Sequence, residues 1–297
     1  MYLKHFGMTE KPFSLTPDTQ FFLAARSHRE ALNTLSFALQ DGEGFIKIVG
    51  EVGTGKTLLC RILLNRLDKA QFVTAYIPNP CLTPEELKAF IAAEIGADYQ
   101  RAMPAHELTA AIYRRLLQIA RQRKHVVLVV DEAQTMPRET IEALRLLTNL
   151  ETEKRKLLLV VILGQPELDE LLNRDDLRQL KQRIVFAEKL RPLSTAGVAA
   201  YLRHRLKASG CQRDMLFSPL ATWLLAKASG GIPRLINILA HKALLCAYGK
   251  RDATIAGWHI AKAVRDTPEC RPGGRFWCRL WELNGRAFVA RPAEVAR

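Results

Sequence analysis

Long apolar runs are missing from this chain of 297 residues. Its uncharged apolar candidates, Val126–Val130, Leu157–Gly164 and Met215–Ala226, fall short of the roughly 18 residues a membrane-spanning helix needs, so a soluble protein is expected. Met1–Phe6 lead into a motif-rich segment, with no basic stretch, apolar run and small-residue cleavage site in succession; no export signal is visible, and the cytoplasm is the expected compartment. Paired cysteines are also lacking. Cys60, Cys81, Cys211, Cys246, Cys270 and Cys278 lie far apart, with no C-x-x-C pair and no histidine at zinc-ligand spacing, which reads as reduced, mostly buried thiols. The seven histidines show neither H-E-x-x-H nor a paired i, i+4 arrangement, and there is no G-x-S-x-G elbow. These absences argue against a histidine-bound metal and a serine-hydrolase triad. With 48% hydrophobic and 25% charged residues, the chain has the composition of a globular protein of one large or two ordinary domains.

Acidic residues become scarce toward the C-terminus. Residues 1–190 carry 26 basic and 24 acidic side chains, whereas residues 191–297 carry 18 and 6, so nearly all of the net charge of +14 belongs to the last third. A field of that sign attracts nucleic acid, anionic lipid head groups or an acidic protein, and composition does not choose among them. A solvated basic face that aids solubility is the plainer alternative.

Short apolar runs alternate with helix-patterned segments through the first two thirds. Phe45–Val49, Phe72–Ile77, Val126–Val130, Leu157–Leu163 and Ile184–Phe186 read as strands, the third and fourth apolar enough for the middle of a sheet covered on both faces. Thr83-Pro84-Glu85-Glu86 is a helix start: a capping hydroxyl, a proline where no donor is needed, and a glutamate placed to close a capping box. Pro137 precedes a second helix over Arg138–Leu150. Strands alternating with helices imply a parallel sheet in an α/β domain, residues 1–190. Beyond the Arg191-Pro192-Leu193 joint, Ser194–Ala208, Ser218–Lys227, Pro233–Tyr248 and Ile255–Arg265 have helical spacing without strands between them. A small all-helical second domain over 191–267 is expected, then a basic, weakly structured tail over 268–297 in which arginines interleave with Trp277 and Trp281. Such interleaving suits base stacking or a membrane interface, and a frayed end is the simpler account.

Gly50-Glu51-Val52-Gly53-Thr54-Gly55-Lys56-Thr57 satisfies G-x-x-x-x-G-K-[ST], directly after a strand and before a helix over Leu58–Leu67. Glycines let the backbone curl so that successive N–H groups point at a phosphate, and the helix start adds positive potential. Lys56 would bridge the β- and γ-phosphates of ATP and Thr57 would offer its hydroxyl to Mg²⁺. The candidate nucleotide-binding set is Gly50, Glu51, Val52, Gly53, Thr54, Gly55, Lys56, Thr57 and Leu58.

Hydrolysis also needs a carboxylate for the metal and a base for the attacking water, and Val126–Val130 runs straight into Asp131 and Glu132. Asp131 is assigned to Mg²⁺ with Thr57, and Glu132 to water activation; adjacent acids that merely cap a strand are the alternative. The next apolar strand ends at Gly164-Gln165, from which Gln165 could reach the γ-phosphate or the water. Arg183, with Arg178 as the alternative, is the candidate for an arginine delivered to the γ-phosphate from a neighbouring subunit. Arg234, behind the Gly230-Gly231-Ile232-Pro233 break, is a candidate phosphate contact from the helical domain.

Together the phosphate loop, Asp131-Glu132-Ala133-Gln134, Gly164-Gln165-Pro166-Glu167-Leu168, Gln182-Arg183-Ile184 and Gly231-Ile232-Pro233-Arg234 resemble the AAA+ ATPases of the ExeA/GspA class, which energise assembly of secretion machinery. Met1–Gly7, Glu10-Lys11-Pro12-Phe13, Pro17-Asp18 and His28–Leu32 are shared with that class, and the likeness extends over about residues 1–267. The run Gly42-Glu43-Gly44-Phe45-Ile46-Lys47 looks closest to its MshM branch, which serves the mannose-sensitive haemagglutinin type IV pilus. The resemblance implies a P-loop NTPase of AAA+ type, with a parallel sheet sandwiched by helices and a small helical lid, that hydrolyses ATP with Mg²⁺. It further implies a homo-oligomer that is cytoplasmic or peripheral at the inner membrane, with pilus or secretin assembly proteins as partners, and places Pro12-Phe13 and His28-Arg29 around the adenine. The transmembrane and peptidoglycan-binding parts that follow the ATPase in the ExeA branch have no counterpart in this sequence. The rival reading from the same core is a DNA-binding regulator resembling those of transposition, using the basic C-terminal region.

Overall fold

Five of the strands join in one parallel sheet, and the order of those strands decides which loops meet. The computed structural model describes residues 2–100, 103–153, 155–213 and 215–270. The chain starts with a short helix α1 (Tyr2–Phe6), then α2 (Arg26–Asp41), β1 (Phe45–Gly50), α3 (Lys56–Arg66) and β2 (Phe72–Ile77). Helices α4 (Pro84–Ile95) and α5 (Ala105–Arg121) lead to β3 (His125–Val130), α6 (Arg138–Leu147) and a two-residue-per-strand hairpin, β4 (Glu151–Thr152) and β5 (Arg155–Lys156). After β6 (Leu158–Gly164) come α7 (Glu167–Leu172), α8 (Arg178–Lys181) and β7 (Phe186–Leu190). Helices α9 (Thr195–Ala208), α10 (Pro219–Ser229), α11 (Pro233–Lys250) and α12 (Gly257–Arg265) follow.

The sheet order is β2-β3-β6-β1-β7, with every pairing parallel. Every residue of β6 and all but the first of β3 are buried, as their unbroken apolar sequences require for central strands covered on both faces. The apolar faces of α4, α5 and α6 close over them through Leu87, Ile91, Ile112, Leu116, Ile141 and Leu144. Helix α4 starts as its sequence dictates: Thr83 Oγ1 accepts from the Glu86 amide at 3.2 Å while the Glu86 carboxylate accepts from the Thr83 amide at 2.8 Å.

One expected strand shifts, and one hairpin is unforeseen. The last strand is Phe186–Leu190 rather than Ile184–Phe186; it is an edge strand paired only with β1 among the described residues, and its partly exposed, charge-bearing pattern hides it from an apolar-run reading. The hairpin of β4 and β5 is wholly exposed, so it carries no hydrophobic periodicity to announce it.

The chain divides into two compact units, residues 24–191 and a second formed by the residues before Ala24 together with those from Pro192 on. The N-terminal segment, expected to open the sheet domain, therefore belongs with the helices. Tyr2, Phe6, Met8 and Phe13 are buried in the same core as Leu202, Leu224, Ile236 and Leu244. Arg205 on α9 bolts it there: its guanidinium donates to the carbonyls of Pro12 at 2.5 Å and Ser14 at 3.1 Å and lies 4.7 Å from the centre of the Phe21 ring. Of the C-terminal tail, Pro268–Cys270 forms a single 3₁₀ turn; the rest lies outside the described residues, as do Trp277 and Trp281. Among the described residues, no helix is long and apolar enough to cross a membrane.

Candidate functional site

Strands β1, β3 and β6 are neighbours and run parallel, so the loops at their C-terminal ends must meet. The β1 loop is the glycine-rich one. Gly53 and Gly55 have φ of 80° and 101°, left-handed values that side chains resist, and between them Thr54 turns back to bond Glu51 O through both its amide at 3.2 Å and its hydroxyl at 2.8 Å. Lys56 opens α3 and is buried; its Nζ donates to Gly50 O at 2.8 Å and Glu51 O at 3.3 Å. Burial pulls its pKa below the ordinary lysine value, opposed by the charges of Glu132, Asp131, Glu51 and Glu167.

Asp131 and Glu132 stand at the end of β3. The Thr57 hydroxyl donates to Oδ2 of Asp131 at 2.7 Å, and the Glu132 amide donates to Oδ1 at 2.9 Å. Burial pushes the Asp131 carboxyl above the usual carboxylate range, with those two hydrogen bonds and Lys56 pulling the other way. Glu132 has φ of 50°, a strained value for a non-glycine residue that turns the chain out of the strand. Gln134 Nε2 and Gln165 Nε2 both donate to its Oε2, at 2.7 and 2.9 Å. Burial raises the Glu132 pKa, but the hydrogen bonds from Gln165 and Gln134 and the charge of Lys56 outweigh it, and the net position is below the ordinary glutamate value. Gln165 sits just past β6, and its amide donates to Gln134 Oε1 at 3.0 Å.

Lys56, Thr57, Asp131, Glu132 and Gln165, proposed from three separate stretches of sequence, thus meet at one edge of the sheet. Gln134 is a member that had no assigned role; its signal was the two-residue spacing from Glu132, but only the left-handed turn at Glu132 reveals that the amide folds back. Tyr76 on β2 is another, since burial and the nearby Asp131 push its hydroxyl up to about 12. The arginines are placed differently. Arg183 precedes β7, which runs parallel to β1, so it lies at the sheet edge opposite the glycine-rich loop, about 16 Å away for a five-residue strand. Its Nη1 donates to Thr148 Oγ1 at 3.0 Å, just past the end of α6. Arg178 is the first residue of α8. Arg234 is the second residue of α11, behind Pro233, in the helical unit.

The site fits a nucleotide with a divalent cation on its own chemistry. A hydroxyl and a buried carboxylate lie side by side, an oxygen pair of the kind Mg²⁺ takes, and a buried ammonium stands at a helix start behind two left-handed glycines.

The chain is similar to known proteins. Residues 39–172 match the family model described as an AAA domain. Over 291 residues the chain is 42% identical to general secretion pathway protein A of Aeromonas hydrophila; the match covers 98% of this chain and 53% of that protein, so the chain spans about half the length of this relative. Among solved structures, the ORC2 protein of Aeropyrum pernix in ADPNP and ADP complexes aligns with a TM-score of 0.64 at 17% identity, covering 89% of this chain and 73% of that one. The RuvB Holliday junction branch migration motor of Thermotoga maritima aligns at 0.56 and 15%, covering 90% and 78%. At such identities the likeness is one of fold. The fold is that of an AAA-type P-loop NTPase, a parallel sheet flanked by helices and followed by a helical region.

Proposed function

We propose that this chain binds ATP with Mg²⁺ and hydrolyses it, as an AAA ATPase that energises assembly of a secretion or type IV pilus apparatus. The observation that carries the ATPase reading is the convergence of Thr57, Asp131, Glu132 and Gln165 beside the phosphate loop. The amides of the loop and Lys56 hold the β- and γ-phosphates. When bound, Mg²⁺ neutralises phosphate charge, and Thr57 and Asp131 are the residues that would hold it. Glu132, kept ionised by its two glutamine partners, orients the attacking water and accepts its proton, while Gln165 stands at the γ-phosphate side. Arg183 lies too far from its own loop to serve it, which supports a role at the loop of a neighbouring copy in a homo-oligomer. Arg234 would bring the helical unit to the phosphates.

The secretion-related role is supported by the similarity to general secretion pathway protein A over nearly the whole chain. Within it, the run Gly42–Lys47 favours the MSHA type IV pilus branch, with partners among pilus or secretin assembly proteins at the cytoplasmic face of the inner membrane. The basic helical region suits an anionic lipid surface. ATP turnover measured against protein concentration, with Glu132→Gln alongside and with duplex DNA or anionic vesicles added, tests the reading. Turnover that rises with concentration and responds to vesicles supports it; stimulation by DNA transfers the assignment to a DNA-dependent regulator using the basic C-terminal region, and no turnover overturns it.

A further inference from the structure

A phosphate cradle needs its N–H groups turned inward, so its carbonyls must turn outward, and an outward carbonyl that is buried needs a donor of its own. Thr54 supplies the case. The residue is 1% exposed and stands between Gly53 and Gly55, whose left-handed backbones leave the flanking peptides with little intrinsic preference for one orientation. Its carbonyl oxygen lies 2.9 Å from Nε2 of His28, on the first turn of α2, and His28 is itself 4% exposed. A carbonyl accepts only, so Nε2 carries the proton. Burial holds the imidazole below its ordinary pKa, offset in part by the bond to Thr54, and the ring is the neutral Nε2–H tautomer. The same nitrogen would come within 3.3 Å of a Cβ built on Gly55, so the ring also packs against the last glycine of the loop.

We infer that His28 is a positioning residue for the phosphate loop, donating to the Thr54 carbonyl so that the Thr54–Gly55 peptide keeps its amide turned toward the phosphates. This rests on the ATPase reading for its consequence, though not for the contact. Without the donor, the carbonyl is left buried and unsatisfied, and rotation of the Thr54–Gly55 peptide, eased by the glycine on its C-terminal side, is the cheapest remedy. That rotation turns the Gly55 amide out of the cradle. The effect falls on every ligand that uses the cradle, ADP and ATP alike, and on affinity more than on the rate of the bound complex, because Glu132 and Gln165 do not touch α2 through any of the bonds described above.

The experiment uses the full chain with His28→Leu, which fills the buried space but has no donor, and His28→Gln, whose terminal amide offers a donor in a similar place. ADP and ATP binding are read by calorimetry, and amide exchange over residues 50–57 is read by mass spectrometry without nucleotide. In His28→Leu, both affinities should fall on the order of 10- to 100-fold, the loss expected when a buried carbonyl is left unpaired. Turnover at saturating ATP should fall less than threefold, and exchange across the loop should quicken. His28→Gln should recover most of the affinity and protection. Unchanged exchange in His28→Leu, or His28→Gln behaving like His28→Leu, overturns the inference. The nitrogen-15 spectrum of wild-type His28 is a further check that needs no variant: an Nδ1–H tautomer overturns the inference as well. If wild-type protein binds no nucleotide, the ATPase reading fails while the exchange and tautomer measurements still decide the role of His28.

Discussion

Gln165 Nε2 and Gln134 Nε2 converge on the same oxygen of Glu132, Oε2, which leaves Oε1 as the oxygen available to a water. This division of labour gives the first prediction. Glu132→Gln removes the base and also sets its amide against two donors, so turnover should fall about 10²- to 10⁴-fold while ATP binding persists. Gln165→Ala leaves the base ionised but less firmly aimed and should cost turnover less than Glu132→Gln does. Steady-state rates set beside ATP affinities check both, and equal losses in the two variants would refute the division.

Gly164 closes β6 with no room for a side chain. A Cβ there would lie 2.7 Å from Leu168 Cδ2, 2.9 Å from Leu168 Cβ and 3.1 Å from Gln134 Oε1. Gly164→Ala should therefore destabilise by about 1–3 kcal/mol and displace Gln134, lowering turnover as well. Denaturant unfolding of Gly164→Ala, Leu168→Ala and the double variant tests the cause. The double variant should lose less than the two single losses combined, because the second change removes the 2.7 Å contact with Leu168 Cδ2; strict additivity would place the strain at Leu168 Cβ or Gln134 instead.

Much of this site was legible in sequence because its chemistry is carried by short contiguous stretches that end buried strands: the loop after β1, Asp131-Glu132 after β3 and Gln165 after β6 each announce themselves by an apolar run that stops at polar residues. The sheet and the four later helices were legible for the same reason of period and caps. What escaped depends on contacts between distant stretches or on backbone angles. His28 meets Thr54 across 26 residues, Gln134 reaches Glu132 only through a left-handed turn, and Arg205 holds Pro12 from 193 residues away. No local pattern encodes such pairs. The edge strand Phe186–Leu190 escaped because one side of it is solvated and it carries Glu188 and Lys189.

Four histidines give the pH dependence of stability a definite sign. Burial holds His28, His125, His241 and His259 below the ordinary histidine value, reinforced by Arg155 at His125 and by Lys11 at His241, and opposed by Asp252 at His259. The unfolded chain takes up protons at about pH 6.5, where the folded chain still resists them, so stability is complete above that value and is lost as the pH falls through it. The urea midpoint should drop between pH 7.5 and pH 5.5, above the range where carboxylates in the unfolded chain titrate. A midpoint that is flat or rises over that interval would contradict the assignment.

Arg205 is a buried cation held by oxygens that carry no full charge. Its Nε and Nη2 donate to the Pro12 and Ser14 carbonyls, and its Nη1 lies 3.4 Å from the Tyr201 hydroxyl, which in turn donates to Asn237 Oδ1 at 2.9 Å. Burial lowers its pKa, with Tyr201 and Asp18 opposing, but a guanidinium stays protonated under these conditions. Arg205→Met keeps the length of the stem and strips the donors, taking from the Pro12 carbonyl its guanidinium donor and leaving the Ser14 carbonyl with the longer bond from Asn237 Nδ2 at 3.5 Å. The expected loss is about 2–4 kcal/mol, concentrated in residues 10–22, which should become the first site of limited proteolysis. Arg205→Lys should not rescue it, because a single ammonium on a flexible stem does not reproduce a planar fork that serves Pro12 and Ser14 at once. If the methionine variant resisted protease as well as wild type does, the N-terminal segment would be held by the burial of Tyr2, Phe6, Met8 and Phe13 and by bonds such as those of Thr9 to the Ser209 carbonyl, and the guanidinium would be incidental to it.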